Sequence, residues 1–220
     1  MILSLATRRT GIWSAAASLA FSLAYIIAQL FEWAGMLGSG GGPNASSTAL
    51  GIFLLLAPSL LLGPAFVVLC AALHVSAPAD RKVFTLAGLA FAIMYATLTG
   101  MVYFVQLTFV APRIASGETA GIELLLFVPY ESFLFAIDLL GYSLMSAATL
   151  IAAFGLPLSS RAKFARFAMI ANGAILPFLA LQMAFPVLIW PAAAWAITFP
   201  LAMAAILNMF RATAQGEQEP

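Results

Sequence analysis

Residues 8–32, RRTGIWSAAASLAFSLAYIIAQLFE, decide how the rest of the chain is read. Between Arg9 and Glu32 no side chain carries a charge, and a helix built from that run is long enough to cross a hydrocarbon core about 30 Å thick. The run is too long for the apolar core of a cleaved leader, and Gly11 stands where a twin-arginine signal calls for an apolar residue, so the stretch reads as a first span, 11–36.

The same reading extends outward. The chain has 220 residues, 64% of them hydrophobic and 8% charged. That balance lies outside the range of water-soluble domains, and the chain resembles many small, alanine-rich polytopic proteins of bacterial type. Residues 38–48, GSGGGPNASST, form a glycine-rich loop, because its glycines and proline cannot sustain a helix while Ser47 or Thr48 can cap the next one. A second span covers 50–76. Pro58 and Pro64 each remove a backbone donor inside it, so a kink or a break is expected. The turn at 77–82 leads to a third span, 83–110. Segment 112–130 has an apolar core from Ile122 to Val128 that is too short to cross, and it reads as interfacial or re-entrant. A fourth span covers 131–155, a fifth 164–184 and a sixth 187–210, with a break at Pro186, and 213–220 reads as a disordered tail. The expected fold is therefore an all-α bundle of about six transmembrane helices in a single membrane domain, 1–212.

Orientation follows from the lysines and arginines, which resist translocation. Arg8, Arg9, Arg81, Lys82, Arg161, Lys163, Arg166 and Arg211 fall on one side of such a bundle, and Arg113 alone falls on the other. Both termini are thus expected in the cytoplasm, with the bilayer being a plasma membrane of bacterial inner-membrane type.

Polar residues recur at helical spacing in three of the spans. The first carries Tyr25, Gln29 and Glu32, the third Tyr95, Thr99, Tyr103 and Gln106, and the fourth Glu131, Asp138 and Tyr142. With the first and third spans running outward and the fourth inward, most of these residues share the outer half of the bundle. Glu32 and Glu131 are expected near the outer interface, with Asp138 about 10 Å deeper. An ionised carboxylate at that depth costs several kcal/mol or more unless it is paired, hydrated or protonated, and no lysine or arginine within a span is available to pair with it. Tyrosine hydroxyls, glutamine amides, water or its own proton remain as partners for Asp138. Asn172, Gln182, Thr198 and Asn208 share no face and read as interhelical glue. Ser14, Ser18 and Ser22, with Ala16, Ala20, Ala24 and Ala28, form small-residue ridges along which a partner protein or a second copy could approach.

Several chemistries are excluded by counting. The one histidine, His74, cannot supply a bis-histidine haem site, and it lies opposite the acidic stripe, so neither a serine triad nor a zinc hydrolase site can be built around that stripe. Lys82 and Lys163 fall in turns, which removes a retinal Schiff base. Cys70 is the only cysteine, so there is no intrachain disulfide or thiolate cluster. A net charge of +1 without a basic patch argues against nucleic acid. No catalytic residue, metal or cofactor is implied. What remains is a protein that binds or transports a small molecule or ion through an outward-opening site centred on Asp138, or an accessory protein that docks a partner or lipid, or a membrane enzyme acting on a lipid or isoprenoid substrate.

Overall fold

The computed structural model describes residues 4–215, and over them the regular structure is all helix, with no strand. Six helical segments are long and apolar enough to cross a membrane: Leu5–Trp33, Ala49–Ser76, Ala79–Ser116, Phe133–Gly155, Ala162–Ala180 and Pro186–Ala212. Large apolar side chains such as Phe104, Phe167 and Ile197 are left exposed on the outside of the bundle, as expected where lipid replaces water as solvent.

Helix α1 (Leu5–Trp33) starts at Ser4, whose side chain accepts the Thr7 N–H, and α2 (Ala49–Ser76) starts at Thr48, which does the same for Gly51. Each cap satisfies one of the backbone donors that the first turn of a helix leaves open. Of the kink or break expected at Pro58 and Pro64, the break does not occur: α2 is one helix that runs through both. The adjacent Ser59 hydroxyl donates to the Leu55 carbonyl at 2.9 Å within that stretch. Neighbouring helices and hydroxyl side chains stabilise such prolines in a membrane helix.

The third segment also departs from expectation. Helix α3 (Lys82–Val105) passes through a π turn, Gln106–Val110, into α4 (Ala111–Ser116), so residues 111–116 continue the helix and do not join the loop. In the π turn the Ala111 N–H reaches back five residues to the Gln106 carbonyl. That wider turn resets the ladder, so Pro112 stands in the first turn of α4, where a missing donor costs little. The remaining link, 117–132, holds one 3-10 turn at Glu123–Leu125 and no segment able to cross.

Helix α5 (Phe133–Gly155) is the most enclosed of the six candidate spans, with 67% of its most apolar window buried. It packs closely on α3, where Gly88 lets the helices approach: a Cβ on it would stand 2.7 Å from the Ala152 side chain. The fifth and sixth spans are not single rods. They consist of α6 (Ser160–Gly173) with α7 (Leu176–Ala180), and α8 (Ile189–Ala192) with α9 (Trp195–Gln215). Residues 213–215 of the anticipated tail belong to α9, and 216–220 lie outside the described residues. The serine ridge of α1 faces inward: Ser18 and Ser22 are fully buried against the chain's own helices, while Ala20 and Ala24 are exposed.

Candidate functional site

The end of the bundle closed by loops 34–48 and 117–132 contains a cavity of about 220 Å³. Its walls come from α1, α2, α3, α5, α7, α8 and α9 together with both loops.

Helix α1 supplies Tyr25, Gln29 and Glu32 on one face. The Tyr25 hydroxyl donates to Gln29 Oε1 at 2.9 Å. Glu32 lies seven residues beyond Tyr25, about 10 Å along the axis, and is only 2% exposed. Neither of its carboxylate oxygens has a hydrogen-bond partner. The group is seated against the first turn of α2 at Gly51, where a Cβ would stand 2.7 Å from Oε2. The positive end of the α2 dipole offsets part of its burial cost.

Helix α5 supplies Asp138 and Tyr142, both buried and both on the cavity wall. The Asp138 carboxyl meets the hydroxyl of Tyr103 from α3, yet its Oδ1 has no partner. The Tyr103 hydroxyl also approaches that of Tyr142, which is buried without a hydrogen-bond partner. The rings of Tyr25, Tyr142 and Trp195 adjoin one another: Trp195 stands edge-on to Tyr25 at 5.8 Å and to Tyr142 at 5.2 Å. Trp195 opens α9, and its indole Nε1–H is buried without an acceptor.

The loops complete the enclosure. Gly42 N–H donates to the Trp33 carbonyl at 2.9 Å, and Gly42 and Pro43 form part of the cavity wall. Gly41 is confined by the same carbonyl and has φ +73°, a region open to glycine and costly for other residues. From the second loop come Phe127 and Pro129, and beside them Tyr130 holds φ 64°, an uncommon backbone state for a side chain of that bulk. Gln182 Nε2 donates to the Tyr130 hydroxyl at 3.1 Å, and Gln182 Oε1 is left unpartnered beside the cavity. Partial burial pushes the Tyr130 phenol above its ordinary value, with the Gln182 contact opposing that shift. The phenol is therefore neutral near pH 7.

Of the residues singled out in the sequence, Tyr25, Gln29, Glu32, Tyr103, Asp138 and Tyr142 line this cavity. Tyr95 is fully buried behind it, its ring 6.0 Å from that of Tyr142. Thr99 is a packing residue: its hydroxyl donates to the Tyr95 carbonyl at 3.0 Å and its methyl fills the space beside Gly141. Gln106 ties the π turn to the second loop through Nε2 and the Leu125 carbonyl, 2.6 Å apart. Glu131 is exposed and does not line the cavity. Two contributors escaped sequence reasoning. Trp195 stands alone in its helix without a polar stripe, and Gln182 had been grouped with glue residues that share no face. For Gln182 half of that reading holds, since one end of its amide does bind another segment.

No protein family matches the chain, and neither a curated protein nor a solved structure is found to be similar to it. The fold and the cavity define the class alone: an all-helical, multi-pass membrane protein with a largely apolar cavity, carrying a few polar side chains, between six membrane-length helical segments.

Proposed function

We propose that this protein binds a small molecule or ion in the cavity bounded by Asp138, Tyr142, Tyr103, Gln29 and Glu32, and that the cavity opens to the outside of a bacterial-type inner membrane. One observation carries the reading. Glu32, Asp138, Tyr142, Gln182 and Trp195 all line this one cavity, and each is at least nine-tenths buried and keeps a polar atom without a partner. Buried polar groups are nearly always paired, and each unpaired group costs about 1–3 kcal/mol, more when charged. Five such groups on one wall are the signature of a space built to be filled by a ligand, with Asp138 as its protonatable centre. The basic residues support the orientation, because Arg113 alone belongs to the loop end that closes the cavity. The accessory reading has less to stand on, since the serine side of the α1 ridge is already used within the chain. Lipid or isoprenoid chemistry would lack a histidine at this site: His74 lies at the other end of α2, with Nδ1 3.1 Å from the Thr85 hydroxyl.

Cysteine labelling tests both the opening and the mode. In a Cys70→Ala background, Gly40→Cys and Gln29→Cys are expected to react with an impermeant maleimide added outside intact cells, and Ser160→Cys only after the inner face is exposed. Reaction of Gln29→Cys from both faces would mark alternating access and hence transport. Reaction from outside alone would mark a binding protein. Reaction of Gln29→Cys and Gly40→Cys only from the cytoplasmic face would overturn the proposed opening.

A further inference from the structure

We infer that the occupant of this cavity is an organic ammonium ion, held by the Asp138 carboxylate among the rings of Tyr25, Tyr142 and Trp195. The inference rests on the cavity being a ligand site and adds the chemical class of its ligand.

The charge on the wall decides the sign. Two carboxylates line the cavity and no lysine, arginine or histidine does. An anion would meet two like charges with no donor cation, whereas a cation supplies what Glu32 and Asp138 lack. The rest of the wall decides between a metal ion and an organic cation. Among the described residues no group of three or more histidine, cysteine, aspartate or glutamate side chains could hold a metal. Hard cations require about six oxygen ligands, and here the carboxylates are separated by aromatic and aliphatic surface. An organic ammonium needs what is present: one or two carboxylates, ring surface for its alkyl groups and charge, and few hydrogen-bond donors.

The rings are arranged for this. Tyr25, Tyr142 and Trp195 all border the cavity and stand within 6.4 Å of one another, with Trp195 nearly perpendicular to both tyrosines. Asp138 stands one turn before Tyr142 on the same face of α5, and both border the cavity. A cation at that corner therefore has aromatic surface on several sides and a carboxylate on another. Glu32, about 10 Å along α1 from Tyr25, is a second buried carboxylate on the same wall. The volume of about 220 Å³ admits an ammonium of choline size.

The test uses the full-length chain in nanodiscs and reads binding by calorimetry. Choline is paired with its neutral isostere 3,3-dimethylbutan-1-ol, benzyltrimethylammonium with neopentyl alcohol and benzyl alcohol, and hexylamine with hexan-1-ol; 3,3-dimethylbutyrate serves as the anion. At least one ammonium is expected to bind about ten-fold or more tightly than its neutral partners. Asp138→Asn and Trp195→Leu should each remove most of that preference, and Glu131→Gln should leave it intact. Should Asp138→Asn fail to fold, Glu32→Gln gives the same readout, with the cation preference reduced. Neutral or anionic compounds binding as well as the ammonium ions, or a preference unchanged in Asp138→Asn, would overturn the ammonium assignment while leaving a ligand cavity in place. Failure of every compound to bind would overturn the cavity reading along with it.

Discussion

Asn172 and Asp138 are both polar, both buried and both on helices of one bundle, but their surroundings are opposite. Asn172 on α6 has its amide occupied at both ends: Nδ2 donates to Thr149 Oγ1 at 2.9 Å, and Oδ1 accepts from Thr198 Oγ1 at 3.1 Å. Three helices, α5, α6 and α9, are thereby joined through one side chain. Near it the packing is close, with Gly173 against Leu150, and Gly155 against Thr85. Asp138, at the other end of α5 and on the cavity wall, meets Tyr103 but leaves Oδ1 buried without a partner. A polar group that holds the fold together is one whose bonds are made within the fold. A group whose bonds are left open is maintained at a cost to stability, and such costs are usually retained where function needs them.

The comparison breaks first where packing is closest. Gly88→Val places a side chain within 2.7 Å of the Ala152 side chain and 2.9 Å of the Ala148 carbonyl, and neither can move without shifting α5. The variant is expected to lose about 3 kcal/mol or more, seen as loss of the monodisperse peak in detergent chromatography. A Tm unchanged within error would show that α3 and α5 are less tightly joined than described.

Asn172→Leu comes next. It leaves the Thr198 hydroxyl without its acceptor and the Thr149 hydroxyl with one partner fewer, and about 1–2 kcal/mol of destabilisation is expected in reversible unfolding in mixed micelles. Asp138→Asn sharpens the contrast from the opposite side. With no complete set of bonds to lose, it should unfold within about 1 kcal/mol of the parent, or later than it. If Asp138→Asn were the more damaging of the two, Asp138 would belong with the structural groups. The smallest effect is expected from Tyr130→Phe, which removes only the hydroxyl that accepts from Gln182. About 0.5–1 kcal/mol should be lost in the same measurement, with the backbone at 130 unchanged.

The sequence by itself determined the class of the protein and the helix faces on which polar groups sit, because both follow from local rules. An uncharged run of adequate length has only helical solutions in lipid, and residues spaced by three or four share a face whatever surrounds them. The stripe Tyr25, Gln29, Glu32 and the pair Asp138, Tyr142 were therefore legible. Where the helices end was less so. Pro58 and Pro64 carry the same local signal as Pro112, yet α2 runs through both, whereas the third span meets Pro112 after a π turn. Local sequence states that a donor is missing and does not state which neighbour compensates. The depth of Glu32 was set by Gly51, a residue on another helix whose missing side chain makes room for the carboxylate. The separation of Glu131 from Asp138 was set by where Ser132 caps α5, leaving Glu131 outside the helix and exposed. Membership of the cavity wall was the least legible property. Trp195 and Gln182 reach it from separate segments, and only the packing of the helices brings them to the same cavity as Asp138, since convergence depends on distances between helices that no single helix encodes.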